Sequence, residues 1–216
     1  VWYGKNQNGQ TVELPLALKL HKFEVEYFAP KLALAHGNTG KIMKVSGFLA
    51  DQTHQVLPLG TYKVKIDTFM HSAKPFGGNY HYNNELGAAP AAKLTVRHDT
   101  QTVATGWVCS GSFAQQAAWL PVGPTLQLVM LEPEPRKFAS RLSLFTKSGE
   151  TTQIRLEVNK PYKHGAWHLY QYDYDENRGR WSEVSVIQAV YDPWLNVIYV
   201  GLGMLIAGAL YLFWAG

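Results

Sequence analysis

The sequence contains a single cysteine, Cys109. One thiol excludes an internal disulfide framework and any zinc or iron–sulfur site built from several cysteines. A lone cysteine is usually a small buried apolar residue, and no histidine neighbours Cys109 in the sequence. We keep a redox or nucleophilic role for Cys109 as a hypothesis beside this structural interpretation.

Runs of like charge are also missing. The 216 residues carry 20 Lys and Arg against 16 Asp and Glu, a formal net charge of +4. A surface that binds nucleic acid usually concentrates its cations. We therefore expect no nucleic-acid partner, whereas mild positive charge fits a weak attraction to anionic lipid headgroups.

The patterns of common catalytic sites are absent as well. Ser110 lacks the glycine two positions earlier that a nucleophile elbow requires, and no glycine-rich loop has Walker or Rossmann spacing. Asp173 and Asp175 fit a solvated hairpin end better than a calcium site or a glycosidase pair. We expect an assembly or binding protein with no catalytic residue in this chain, and no metal site.

An apolar run closes the chain. Residues 193–216 contain no Lys, Arg, Asp, Glu or His. At a rise of about 1.5 Å per residue, a helix of this length crosses a hydrocarbon core of about 30 Å. Aromatic residues near both ends resemble the belts found at membrane interfaces: Trp194, Tyr199, Tyr211 and Trp214. The run predicts a transmembrane helix over residues 192–216, which follows one β-rich domain over residues 1–191.

Small residues are frequent in this helix. Gly201, Gly203, Ala207 and Gly208 leave little bulk on part of its surface. Small residues allow another helix to approach closely. We expect the helix to pack against membrane partners, and a lone anchor is the alternative.

Short alternating segments separated by turn residues make up the rest of the chain. They predict a mainly β fold, an antiparallel sandwich or open barrel-like domain. The clearest are residues 140–158, which form a hairpin, and the aromatic strand at 167–174. Residues 71–92 lack periodicity and predict a long loop, and residues 112–120 predict the one short helix of this part.

Two histidine pairs are candidate haem or ligand residues. His164 and His168 are four residues apart, as in helical metal or haem sites, but Gly165 opposes a helix. They are either ligands on a shared strand face or surface residues beside a turn. His71 and His81 bracket the glycine-rich segment and either contact a planar ligand or fill turns.

Three separated stretches carry a further pattern. Residues 21–30 (HKFEVEYFAP) alternate early in the chain. Residues 140–161 end in Val158-Asn159-Lys160-Pro161 and lead to Tyr170-Gln171, and residues 191–194 (YDPW) pass directly into the apolar run. The order and spacing of these stretches resemble the ResB/CcsB family of cytochrome c biogenesis proteins, the membrane partners of a CcsA-type haem-handling subunit.

This resemblance implies a component of the inner (cytoplasmic) cell membrane, with most of the chain on the extracytoplasmic side. It would support haem delivery or attachment to apocytochrome c, and the β-rich domain would be a scaffold or docking face. The implied partners are a CcsA-type subunit, separate or fused, apocytochrome c and the lipid bilayer. Haem would belong to the full complex, because the closing helix has no histidine to bind it.

We expect the chain to be a piece of a longer polypeptide, because it starts at Val1 and ends as soon as the apolar run is complete. The alternative function that the residues leave open is a membrane-anchored extracytoplasmic module that binds a peptide or a sugar and has no haem role.

Overall fold

The computed structural model describes residues 2–49 and 56–215. Strands account for 59% of the structure, in several antiparallel sheets, and a single apolar helix follows them at the C-terminus. Antiparallel strands with one solvated face produce the alternation seen in the sequence. The predicted fold class is confirmed.

The strands and the helix follow one another in chain order. They are β1 (Tyr3–Lys5), β2 (Thr11–Glu13), β3 (Leu16–Tyr27), β4 (Lys31–His36), β5 (Ile42–Phe48), β6 (Val56–Leu59), β7 (Tyr62–Phe76), β8 (Asn79–Tyr82), β9 (Ala89–His98), β10 (Gln101–Cys109), β11 (Leu120–Pro121), β12 (Leu126–Met130), β13 (Pro135–Thr146), β14 (Thr151–Glu157), β15 (Tyr162–His164), β16 (Trp167–Tyr174), β17 (Ser185–Tyr191) and α1 (Leu195–Ala215). The sheet orders are β1-β2, β10-β9-β7-β6 with β8 on β7, β11-β12-β4-β5, β14-β13-β3 and β15-β16-β17.

The chain forms two compact units. Both include residues of the range 1–191 that we predicted as one domain, and the first unit also includes the helix. The first unit comprises Val1–Phe23, Ala139–Tyr174 and Val184–Gly216. Its core contains Leu142 and Leu144 from β13 and Ile154 and Leu156 from β14. These residues alternate along paired strands, so their side chains reach one face of the sheet. The hairpin predicted over residues 140–158 is confirmed.

The second unit comprises Glu24–Phe138 and Asp175–Glu183. Its core draws on two sheets: β6, β7, β9 and β10 from one, and β4 and β12 from the other. Val64 and Ile66 of β7 face Val96 and Leu94 of β9 in register, and all four are buried. Alternation along both sheets therefore provides the apolar side chains that fill this core.

Two local predictions in the second unit are wrong. Residues 112–120 are not helical: Cys109 and Ala118 exchange backbone hydrogen bonds of 2.9 and 3.1 Å, which fold the segment back on β10. So short a helix is marginal on its own. Residues 71–92 are not one long loop, because β7 continues to Phe76 and β8 pairs with it. Gly77 and Gly78, with φ of 58° and 78°, form the tight turn between them.

The helix α1 has the properties of a membrane span. Its segment Val197–Trp214 has a mean hydropathy of 2.0, and none of that segment is buried. Its length of 18 residues corresponds to about 27 Å of rise. In the described part of the chain it is the one helix long and apolar enough to cross a membrane. A side chain at Gly201, Gly203 or Gly208 would meet no neighbour within 4 Å, and Ala207 is exposed, so partner packing stays a prediction.

A matched pair of isoleucine substitutions tests the core of the second unit. Ile66 is 0% exposed, whereas Ile42 is 48% exposed. We expect Ile66→Ala to lower the free energy of unfolding by about 2–5 kcal/mol, because it removes buried methyl groups and leaves a cavity. Ile42→Ala should change it by less than about 0.5 kcal/mol. Denaturant unfolding in detergent measures both, and equal losses would contradict the position of this core.

Candidate functional site

A cleft lies within the second unit and has a volume of about 210 Å³. Most of its lining comes from the ends of strands and from the connections between them, where side chains are free to vary without disturbing a sheet, and His71 adds a side chain from within β7. The lining residues are 27–30, 71, 88–90, 110–113, 132–133 and 176–181.

The turn at residues 175–183 places two arginines in this cleft. The Asp175 amide donates to Ser182 Oγ at 3.2 Å, and the Asn177 amide donates to Asp175 Oδ1 at 3.1 Å. A 3-10 turn, Gly179–Trp181, follows. Gly179 has φ of 53° and a side chain there would collide with the Tyr27 hydroxyl. The local sequence therefore needs glycine between Arg178 and Arg180.

Arg180 is half-buried in the cleft. Its Nη2 donates to the Ala88 carbonyl oxygen at 2.9 Å and to Ser72 Oγ at 2.5 Å. Its Cζ lies 4.8 Å from the centre of the Trp181 ring. Burial lowers the pKa of the guanidinium from its ordinary value, and the phenols of Tyr27 and Tyr82 act in the opposite direction. Arginine nevertheless keeps its positive charge at neutral pH.

The two arginines differ in how their charge is balanced. Arg178 Nη1 lies 3.3 Å from Glu183 Oε2, and its Nε lies 3.9 Å from Asp175 Oδ2. Arg180 has no carboxylate within ion-pair distance in residues 2–49 and 56–215. Glu132 and Glu176 line the same cleft without pairing with Arg180. Of the two arginines, Arg180 is thus the one that forms no ion pair with a carboxylate of the described residues.

The walls beside Arg180 are apolar and aromatic. Phe28 and Phe113 line the cleft and are exposed, and Pro30, Pro90 and Pro133 also line it. Apolar walls reduce the local dielectric constant, which strengthens the attraction between the guanidinium and an anion. The arrangement can bind a group that is anionic at one end and apolar beside it.

The first histidine pair is divided between the cleft and a neighbouring strand. His71 lines the cleft and packs edge-on against Phe69, with ring centroids 4.6 Å apart. His81 lies on β8 opposite Lys74, and it packs against Phe76. His71 precedes Lys74 by three residues, about 10 Å along β7. The strand register therefore does not align His71 with His81.

The second histidine pair lies on a hairpin in the first unit. His164 of β15 pairs with Trp167, and His168 of β16 pairs with Lys163. Adjacent positions on a strand point to opposite faces, so the two histidines do not share a face. His168 is buried, and the surface interpretation is wrong for this residue.

Cys109 ends β10 and is 1% exposed. Its Sγ accepts hydrogen bonds from Gln115 Nε2 at 3.0 Å and from the Gly111 amide at 3.4 Å. Burial raises the pKa of Tyr80 to about 12, and the neighbouring Cys109 adds to this increase. A reagent can reach the thiol only after local opening. Over the described residues, no group of three or more His, Cys, Asp or Glu is placed to hold a metal ion.

The role of Arg180 was not predicted from the sequence. The hydrogen-bond partners of Arg180, Ser72 and Ala88, are 108 and 92 residues away in the chain. No local sequence pattern predicts a contact at that separation. The only available signal was a pair of arginines around a glycine, next to Trp181.

No protein-family model matches the sequence, and no curated protein matches it. Over the described residues, the fold and the cleft define a class: a mainly antiparallel β protein with a C-terminal helix suited to membrane anchoring and an aromatic-walled cleft around an arginine.

The burial of Cys109 predicts a protected thiol. In the native protein, we expect a thiol-reactive dye such as DTNB to react at least about tenfold more slowly than in denaturant, because reaction requires local opening. The single cysteine makes the stoichiometry direct, and Cys109→Ala provides the blank. Complete labelling of the native protein at the denatured rate would contradict the buried position.

Proposed function

We propose that this chain is a membrane-anchored component of c-type cytochrome biogenesis. It supports haem delivery or attachment to apocytochrome c outside the membrane, with its β-rich part as a scaffold or docking face. The observation that carries the proposal is the junction between β17 and α1, where the resembling residues 191–194 join the sheet to the apolar helix.

The junction is short and hydrogen-bonded. The Asp192 amide donates to the Ala166 carbonyl oxygen at 2.9 Å, and the Trp194 amide donates to Asp192 Oδ1 at 3.1 Å. The residues between Tyr191 and Leu195 span at most about 14 Å even when fully extended. With α1 in a bilayer, the end of β17 is therefore held close to the membrane surface, where a docking face for a membrane complex is needed.

Other resembling residues support the same strand. The side chain of Gln171 in β16 is buried, and its Nε2 donates to Ser185 Oγ at 3.0 Å and to the Asp173 carbonyl oxygen at 3.1 Å. Trp167 and Tyr191 pack with ring centroids 5.1 Å apart. Asn159 of the VN-x-P stretch has φ of 62°, a turn conformation that asparagine tolerates. These residues have structural roles, which agrees with a scaffold rather than a catalyst.

The proposal assigns separate partners to the two parts of the chain. A CcsA-type haem-handling subunit would pack against the small residues of α1, and apocytochrome c would meet the β-rich part on the extracytoplasmic side. Haem would be held at the level of the complex. The chain itself would position its partners and would not catalyse a reaction.

Loss of the protein should abolish haem attachment to c-type cytochromes. In host cells that lack its gene, we expect c-type cytochromes with covalent haem to fall below about a tenth of the normal amount, because apocytochrome is not loaded. Haem staining of denaturing gels measures them, and b-type haem measured by absorbance should persist. Normal amounts of c-type cytochromes in the deletion strain would refute the proposal.

Complementation with two helix variants provides a matched control. Gly203→Leu adds bulk where another helix would approach, whereas Leu205→Ile keeps the bulk at a neighbouring position. We expect both variants to remain in the membrane after alkaline extraction, and only Leu205→Ile to restore haem attachment fully. Full restoration by Gly203→Leu would remove the helix-packing part of the proposal.

A further inference from the structure

Arg180 retains hydrogen-bonding capacity that its own chain does not use. Both of its described hydrogen bonds come from Nη2. Its Nε and Nη1 have no hydrogen-bond partner among residues 2–49 and 56–215. Arg180 is only half-buried, and these two nitrogens are not buried without a partner. They therefore reach solvent, and an anion that enters the cleft can accept their hydrogen bonds and balance the charge.

The surroundings of Arg180 favour an anion with a single charge. Glu132 and Glu176 line the cleft, and Arg178 is already paired with Asp175 and Glu183. A doubly charged phosphate would face these carboxylates with one cation to balance it. A carboxylate carries one charge, so these glutamates repel it less than a phosphate, and Arg180 alone can balance it.

The size and the walls of the cleft indicate what carries that carboxylate. A volume of about 210 Å³ admits a side chain with its immediate neighbours rather than a large cofactor. Arg136 and Arg178 lie over the rings of Phe28 and Phe113, 5.9 and 6.0 Å from the ring centres. Phe28 and Phe113 nevertheless stay 41% and 44% exposed while they line the cleft, so they leave an aromatic surface that a free small acid would not cover. An extended peptide covers it with residues on each side of the acidic one.

We propose that this cleft binds an acidic side chain within an extended apolar peptide segment, with Arg180 as the group that receives the carboxylate. This binding site does not depend on the proposed role of the chain in cytochrome biogenesis. It assigns a ligand class to a site that the histidine and cysteine candidates did not include, apart from His71.

A pair of labelled peptides tests the inference on the full chain in detergent. The probes are acetyl-Leu-Phe-Glu-Phe-Leu-amide and the same peptide with Gln in place of Glu, each with a fluorescein label, and fluorescence anisotropy gives the affinities. We expect the Glu peptide to bind at least about tenfold more tightly, because a hydrogen-bonded charged group contributes more than a neutral one. Equal affinities, or no binding of either peptide, would overturn the inference.

Protein variants then locate the carboxylate. Arg180→Gln should remove the preference for the Glu peptide, and Arg180→Lys should retain part of it. Arg97→Gln is the matched control, because Arg97 is exposed and does not line the cleft, and it should leave the preference within about threefold. An unchanged preference in Arg180→Gln would overturn the assignment of this residue.

Two additional measurements distinguish a loss of folding from a loss of binding, and a peptide ligand from a free carboxylic acid. Thermal unfolding of each variant identifies any loss of structure, since Arg180 also bonds to Ser72 and Ala88. The peptide pair on the unmodified protein tests the inference without any variant. Displacement of the Glu peptide by an equal concentration of acetate would overturn its assignment to a peptide ligand.

Discussion

A guanidinium keeps its charge when it leaves bulk water, so the protein around it must supply hydrogen bonds. Arg180 obeys this constraint in the second unit, where it bonds to the start of the β9 segment through Ala88 and to β7 through Ser72. Gly179 makes the approach feasible because any side chain there would meet Tyr27. These two part-buried hydrogen bonds hold Arg180 in the cleft, and its remaining donors are available to an anion.

The alternation of apolar and polar residues along the strands determined how much of the fold could be predicted from the sequence. The strand predicted at residues 167–174 and the hairpin at 140–158 are present, because alternation directly reflects which face of a strand is buried. Prediction failed where composition competed with pairing. Residues 71–92 are rich in glycine and asparagine, yet the backbone of β8 completes a ladder with β7. Residues 112–120 favour a helix locally, but the reciprocal bonds between Cys109 and Ala118 prevail.

The cleft was less predictable than the fold because its contacts are long-range. Of the histidine candidates, only His71 lies in its lining, and nothing in the spacing of the four histidines distinguished it. The site is distinguished by the partners of its two arginines. Arg178 has acidic partners near it in sequence, whereas Arg180 has uncharged polar partners that are distant in sequence. Unbalanced charge in a partly apolar cleft is a property of the folded chain, and it cannot be read from a list of residues.

Arg180 is proposed to bind a carboxylate from another molecule. Nitrogen-15 NMR of the arginine side chains, with the Arg180 Nε–H signal assigned through Arg180→Lys, observes this directly in the full chain. We expect the Arg180 signal to shift on addition of the Glu peptide and to stay in place with the Gln peptide, while the signal of Arg97, which lies outside the cleft, changes little. An Arg180 signal that is unmoved by a saturating amount of the Glu peptide would contradict this proposal.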